Sequence, residues 1–314
     1  MKWRVLVSAP YFIPVIKEYQ QRLAAEGVEL IPADVRERLS EEELLDVIDG
    51  IDGIICGDDR ITGRVLDAAP RLKVISKWGT GIDSIDSAEA ASRGIPVYRT
   101  PNAFSEPVAD SVMGYILLFA RKLPWMDRDI RQGNWEKPLL VSLRECAIGV
   151  IGVGDCGKAV VRRAMAFGMK LLGNDIVEMP DAFLTGTGIE MVSLEALLAK
   201  ADFISLNPSL NPTSFHLISK HQLELMKPGA YLINTSRGPV VDEADLIKAL
   251  QKKHIAGAAL DVFEEEPLPQ DSPLRKLDNC LLAPHNANSS PKAWQCVHEN
   301  TVLNLLKGLQ ATGE

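Results

Sequence analysis

Paired cysteines are what this sequence most plainly lacks. Its five, Cys56, Cys146, Cys156, Cys280 and Cys296, form an odd set with no Cys-x-x-Cys spacing, so neither a disulfide framework nor a metal site is expected. Several stand in apolar runs such as GIICG (53–57) and CAIGVIG (146–152). They read as small buried hydrophobes, which suits a reducing cytosol. Long hydrophobic runs are missing too. The most apolar helical stretch, Val112–Ala120, has nine residues between Asp110 and Arg121, whereas a bilayer span needs about 20. The apolar start of the chain is broken by Ser8 and Pro10, too soon for a secretory core. A cytoplasmic protein with no membrane partner is therefore expected. Nor is there an excess of positive charge: 34 Lys and Arg stand against 42 Asp and Glu, a net charge of −8. That balance argues against a nucleic-acid backbone as partner.

What is present is the material of an ordinary folded protein, 46% hydrophobic and 24% charged over 314 residues, a length that suits two domains. Short β-branched runs alternate with helical stretches throughout, the signature of parallel α/β architecture. The first third offers strands at 3–8, 53–57, 73–78 and 96–99, with a helix after Pro14. The middle offers six, at 146–152, 170–176, 203–207, 231–236, 256–262 and 280–285, the count of a dinucleotide-binding sheet. Ser219 with Gln222 marks one helix start as a capping box, and Asp242 marks the next. A Pro-punctuated break, RTPNAFSEP (99–107), precedes a long apolar-striped helix, and PHNANSSP (284–291) precedes a final helix from Ala293 to Leu309. The expected fold class is α/β with two doubly wound parallel-sheet domains. A Rossmann cofactor domain at 102–285 is inserted in a flavodoxin-like substrate domain formed by 1–101 and 286–314.

Chemistry enters with Gly152-Val153-Gly154-Asp155-Cys156-Gly157, between the apolar strand CAIGVI and a helix. Gly152 permits a tight turn, Gly154 lets a pyrophosphate approach the backbone, and Gly157 lets helix and strand pack closely. A lone GxGxxG is a weak signal, since glycine turns are common. Here Asp175 ends the next strand, eighteen residues after Gly157, where a carboxylate can bind the ribose hydroxyls. The same carboxylate would repel the extra phosphate of NADP by about 4 kcal/mol at about 4 Å and an effective dielectric near 20. Ile176, Val177 and Glu178 supply no cation to offset that, so the expected cofactor is NAD.

Three further residues stand at strand ends: Arg237 after YLINTS, Glu266 after AGAALDV and His285 closing CLLAPH. In an open α/β sheet the ligand cleft lies beyond the carboxyl ends of the strands. A 2-hydroxy acid needs a bidentate cation, which Arg supplies, and a proton acceptor near neutral pH, which His supplies. A carboxylate beside that His would orient it and raise its pKa. Singly, Arg237 could cap a turn, Glu266 could be one more acid in a solvated EEE run, and His285 could be a loop histidine. Together, at three strand ends of one sheet, they point to catalysis. His216, His221, His254 and His298 lack such company and are expected to be structural.

With these residues the sequence resembles the D-isomer-specific 2-hydroxyacid dehydrogenases. The matching stretches are KWGTGIDSID (77–86), VIGVGDCGK (150–158), MKPGAYLINTSRGPVVDEADLIKAL (226–250), GAALDVFEEEP (257–267) and LLAPH (281–285). The resemblance implies reversible reduction of a small 2-keto acid, with Arg237 binding substrate, His285 as general acid/base and Glu266 as its partner. It implies that Asp261 and the Thr235–Ser236 backbone meet the nicotinamide half, that the Trp78 and Gly79 amides help hold the substrate carboxylate, and that the protein is a homodimer. Departures from the family pattern are Asn286-Ala287-Asn288 after His285, Phe104 and Asp110 in the hinge segment, and Asn207-Pro208-Ser209 near the adenine. Asp58 and Asp59 stand where a phosphorylated substrate would call for basic or small polar residues, which favours an unphosphorylated one even with Arg60 and Lys77 near. The alternative from another class is a cofactor-sensing scaffold like the C-terminal binding protein corepressors. A nearer rival, NAD-dependent formate dehydrogenase, pairs its His with Gln rather than a Glu.

Overall fold

A run that is apolar at every position needs cover on both faces, and parallel sheets between helices give it that cover. In the computed structural model of this protein, which describes residues 3–311, each such run is a parallel strand. Residues 1–2 and 312–314, the outermost of the expected domain bounds, lie outside the described residues. The chain divides into two compact units. One takes the chain up to Ala103 and again from Ser290 onward; the other runs Phe104–Ser289.

The first unit holds β1 (Trp3–Val7), β2 (Val28–Pro32), β3 (Gly53–Cys56), β4 (Val74–Lys77) and β5 (Val97–Tyr98) in the order β2-β1-β3-β4-β5. All neighbours are parallel, which is the flavodoxin-like order. Strand β2 is absent from the sequence expectation. It is an edge strand with only Val28 buried, so it carries no continuous apolar run. The final helix, Pro291–Ala311, returns to this unit and buries Val297, Val302, Leu305 and Leu309.

The second unit holds β6 (Ala147–Ile151), β7 (Lys170–Asn174), β8 (Glu190–Met191), β9 (Phe203–Leu206), β10 (Tyr231–Asn234), β11 (Gly257–Leu260) and β12 (Cys280–Leu282), in the order β12-β11-β10-β9-β6-β7-β8. This is a parallel doubly wound sheet whose order reverses between β6 and β9. It has seven strands rather than six, because the two-residue edge strand β8 is too short to show a period. Strand alternation sorts the core. Ile148, Val150, Phe203, Ile233 and Ala259 pack on the side of the Ser105–Arg121 and Asp155–Ala166 helices. Ala147, Ile151, Ile204, Leu232 and Leu260 pack on the side of the Leu194–Lys200, Lys220–Leu225 and Glu243–Gln251 helices. Each buried Ile, Leu, Val or Phe among them contributes roughly 1.5–3 kcal/mol, whereas an exposed ion pair such as Asp127–Arg131 is screened by water and adds little. Burial therefore sets the architecture. Among the described residues no helix is long and apolar enough to cross a membrane.

Beyond β4, Trp78 is buried at 4% exposure and joins an aromatic cluster with Tyr11, Trp294 and His298, ring centroids 5.2–5.8 Å from its own. Its indole N–H donates to His298 Nδ1 at 2.9 Å. Burial lowers the His298 pKa from its ordinary 6.5, because charging the ring inside the cluster costs solvation. Protonation would also place a hydrogen on the accepting nitrogen. A histidine whose folded pKa is depressed contributes stability that is present above its unfolded value and lost as pH falls through the folded value. Replacing His298 with Asn, a neutral residue that can keep an acceptor near Nδ1, should remove this acid-side loss. The gap in Tm between parent and His298→Asn should narrow or reverse between pH 7.5 and pH 5, read by tryptophan fluorescence; a gap that does not change with pH would refute the linkage.

Candidate active site

The glycine loop lies where β6 ends, at the point of sheet reversal. Gly152 has φ +81°, and a Cβ there would stand 2.7 Å from the Pro208 nitrogen. A left-handed backbone and the close passage of the 207–208 segment both require glycine. At Gly157 a Cβ would overlap the Gly152 carbonyl, so helix and strand come together only without a side chain. Gly154 is different: a Cβ there would meet nothing within 4 Å, and this is the side left open to a ligand. The helix starting at Asp155 takes Gly154 as its N-cap, with no side-chain cap. The first-turn amides, including those of Cys156 and Gly157, are therefore available to an anion.

Asp175, just past β7, braces this loop. One carboxylate oxygen accepts the Val153 amide at 2.6 Å and the other accepts the Val177 amide at 2.9 Å. Across the sheet, Thr235 Oγ1 is buried and has no hydrogen-bond partner among the described residues. An orphaned hydroxyl at a strand end, an uncapped helix start and a glycine facing open space suit a bound dinucleotide.

The second cluster is built by the loops after β10, β11 and β12. Asn234 ends β10 and is 1% exposed. Its Oδ1 accepts the Ser236 amide and hydroxyl at 3.1 and 2.8 Å, and its Nδ2 donates to the Arg237 carbonyl at 2.9 Å. The turn that presents Arg237 is thus held from beneath, and Arg237 Nη1 donates to the Ser236 carbonyl at 2.9 Å. After β11, Glu266 Oε1 accepts the Phe263 amide at 2.9 Å while Oε2 lies 3.0 Å from His285 Nδ1. Both side chains are mostly buried, at 15% and 20% exposure, so the pair is weakly screened.

His285 has φ +49°, a backbone conformation that side chains with a Cβ seldom adopt. Asp261 fixes it. The His285 amide donates to the Asp261 carbonyl at 2.7 Å, and the two Asp261 carboxylate oxygens accept the Asn286 and Ala287 amides at 2.9 and 2.8 Å. Burial raises the Asp261 pKa, opposed by those two amides and by His285. Its visible duty is to set the loop that carries His285.

Several expectations change. His216 is not a histidine without acidic company: its Nε2 lies 2.8 Å from Glu264 Oε1 and its Nδ1 3.6 Å from Asp242. Glu264 is remote in sequence, so only the fold shows the pair. Asp59 does not face a ligand. It is wholly buried and accepts Ser8 Oγ at 2.7 Å and the Leu39 and Gly57 amides at 2.6 and 3.0 Å. Asp58 pairs with Lys77 at 3.0 Å, so these two acids do not form the repulsive pair expected against a phosphate. The Trp78 amide is already spent on the Cys56 carbonyl at 2.8 Å, which leaves the Gly79 amide, at φ +124°, as the donor of the two. Asn234 and the Phe263 amide were missed; a buried Asn closing an apolar run was the one available signal.

Gly238 decides whether Arg237 and Glu266 can stand on adjoining loops. A Cβ at that position would overlap the Phe263 carbonyl group, the residue whose amide holds Glu266. Gly238→Ala should therefore push the two loops apart, costing about 1–3 kcal/mol as overpacking does, and should reduce turnover by a larger factor than it lowers stability. Thermal melts beside steady-state kinetics check this; parental kcat in a stable variant would refute it.

Comparison with known proteins identifies the family. Residues 113–287 match the family model for the D-isomer specific 2-hydroxyacid dehydrogenase NAD binding domain. A glyoxylate reductase of Thermofilum pendens is 43% identical over 278 residues, covering 86% of this chain and 82% of its own. A D-3-phosphoglycerate dehydrogenase of Methanocaldococcus jannaschii is 37% identical over 92% of this chain but only 54% of its own. The crystal structure of D-lactate dehydrogenase from Aquifex aeolicus, complexed with NAD and lactic acid, superposes with a TM-score of 0.86 at 29% identity, covering 98% and 95% of the two chains. These relatives are reductases and dehydrogenases, so the scaffold alternative is not favoured. The chain belongs to the D-isomer specific 2-hydroxyacid dehydrogenases, enzymes that move a hydride between NAD(H) and a 2-hydroxy or 2-keto acid.

Proposed function

We propose that this protein reduces a small unphosphorylated 2-keto acid of the glyoxylate class with NADH, using Arg237, Glu266 and His285 as its catalytic group. The carrying observation is the Glu266–His285 contact of 3.0 Å, with the other Glu266 oxygen held by the Phe263 amide. The glyoxylate class is supported by the glyoxylate reductases among the relatives. A Glu rather than a Gln beside the histidine separates the site from the formate dehydrogenase pattern.

NAD(H), when bound, supplies or takes the hydride. For its binding we propose Gly152, Gly154, Asp155, Cys156 and Gly157 at the pyrophosphate, Asp175 at the ribose, and Thr235, Ser236 and Asp261 at the nicotinamide half. Arg237 holds the substrate carboxylate and polarises the carbonyl. Trp78 and Gly79 belong to the substrate domain, Trp78 shaping the turn from its aromatic cluster and Gly79 donating its amide. With Nδ1 turned to Glu266, His285 carries the transferable proton on Nε2 and gives it to the carbonyl oxygen in reduction. The carboxylate favours the imidazolium and keeps that proton available toward higher pH.

In this reading Phe104–Ser289 is the NAD domain and the other unit is the substrate domain. A homodimer fits the exposed apolar side chains of the NAD domain, Leu123, Ile130, Trp135 and Leu139, which are 48–97% exposed and would be costly to leave in water. The acidic net charge and unpaired cysteines favour a cytoplasmic enzyme that does not bind nucleic acid.

Variant kinetics and cofactor preference test the proposal. His285→Ala should cut kcat for glyoxylate reduction about a hundredfold or more and leave NADH affinity near parental. Glu266→Gln should move the alkaline fall of activity to lower pH, because a neutral neighbour no longer favours the protonated ring. Arg237→Lys should act mainly on KM. Parental turnover in His285→Ala would remove this constellation from catalysis. NADH should also be preferred over NADPH by kcat/KM, and Asp175→Asn should narrow the gap at some cost in NADH affinity, since Asp175 braces the glycine loop. Equal use of the two cofactors by the parent would sink the Asp175 assignment.

A further inference from the structure

The turn bearing Arg237 and the turn bearing Glu266 follow different strands, and each is flanked by residues that do not touch the proposed reacting groups. One residue from a third loop reaches both, through its backbone and its side chain. His216 follows β9 in the 207–217 loop, and its backbone N–H donates to the Pro239 carbonyl at 2.8 Å, two residues after Arg237. Its imidazole Nε2 lies 2.8 Å from Glu264 Oε1, two residues before Glu266. The neighbouring ladder continues the tie: the Ile218 amide donates to the Val240 carbonyl at 3.1 Å and the Asp242 amide to the Ile218 carbonyl at 2.9 Å.

Charge makes this node more than a loop contact. Glu264 accepts the Glu243 amide at 3.3 Å, and the Glu264 amide donates to Glu243 Oε2 at 3.2 Å. Asp242 lies 3.6 Å from His216 Nδ1, and Glu265 adds a further negative charge near Glu243. Two carboxylates, Glu264 and Asp242, thus flank one imidazole that can donate, and Glu243 adds a third acid beside Glu264. The ring is also held by the Phe215 ring, stacked at 4.0 Å. The His216 backbone sits at φ +49°, in the left-handed region that residues with a Cβ enter only when their surroundings impose it.

We propose that His216 is a positioning residue for the reaction: its bonds to Glu264 and to the Pro239 carbonyl clamp together the two turns that present Glu266 and Arg237. The inference rests on the catalytic reading given above. Without the clamp, Glu264 keeps only its backbone exchange with Glu243, another acid, and the 263–266 segment loses its tie to the turn that bears Arg237. Glu266 then supports His285 less well, and Arg237 meets the substrate carboxylate in a looser geometry, where a displacement of about 1 Å costs up to a hundredfold in rate.

The test uses the full-length protein and glyoxylate with NADH. His216→Ala should lower kcat/KM about tenfold, raise KM for glyoxylate, and shift the alkaline fall of activity to lower pH in the direction of Glu266→Gln. His216→Gln, which can still donate near the Nε2 position, should restore most of the loss. Glu264→Ala breaks the same bond from the other side, and the double variant should be no worse than the more impaired single one, since partners in one interaction are not additive. A merely structural role would lower Tm and leave the pH profile unmoved, and that result overturns the proposal. So does full additivity in the double variant. If His216→Ala does not fold, Glu264→Ala carries the same readouts. Parental behaviour of both variants while His285→Ala is inactive rejects the clamp and keeps the triad; an active His285→Ala rejects the reading on which both stand.

Discussion

The 3.0 Å contact between Glu266 and His285 is the interaction to which the rest of the second unit is arranged. A carboxylate can raise the basicity of an imidazole only if it stays charged, close and correctly turned. The Phe263 amide fixes the turn of Glu266 by taking its other oxygen. Asp261 fixes His285 from the opposite side, through the amides of the two residues that follow it. Both the glutamate and the histidine are thus held in place by bonds of the fold, the preorganisation that the proposed chemistry requires.

The same economy of backbone donors recurs at the glycine loop. Amides left without a side-chain cap at a helix start are open to an anion, while Asp175 braces the loop by accepting Val153 and Val177. A carboxylate that shapes the loop and, in the proposed reading, binds the ribose ties cofactor choice to the scaffold. Changing it alters structure and selectivity together.

Polar residues buried at strand ends act as struts. Asn234 holds the Arg237 turn, Asp261 the His285 loop, and Asp59, in the first unit, ties Ser8, Leu39 and Gly57. Each is buried, and a buried polar group is stable only when its bonds are made. That requirement converts strand ends into defined loops. It also explains why acidic residues near a site are poor guides to substrate charge, since Asp59 is consumed internally.

The sequence by itself determined the α/β class, the parallel strands of both sheets apart from two edge strands, the glycine loop with Asp175, and the family. These are local facts: an apolar run, a GxGxxG between strand and helix, an acid after the next strand. It also placed Arg237, Glu266 and His285 beyond the ends of three strands, because strand-end position in a parallel sheet is itself readable from order along the chain. Tertiary structure decided what depends on residues distant in sequence. It brought His216 to Glu264 across 48 positions, turned Asp59 inward, spent the Trp78 amide on Cys56, and made Gly238 the point where two loops meet. Strands β2 and β8 escaped for a related reason: an edge strand is specified by the neighbour it pairs with, and its own residues need not form a buried run. Periodicity reports what a segment buries, while only the folded chain shows which partner satisfies each polar atom.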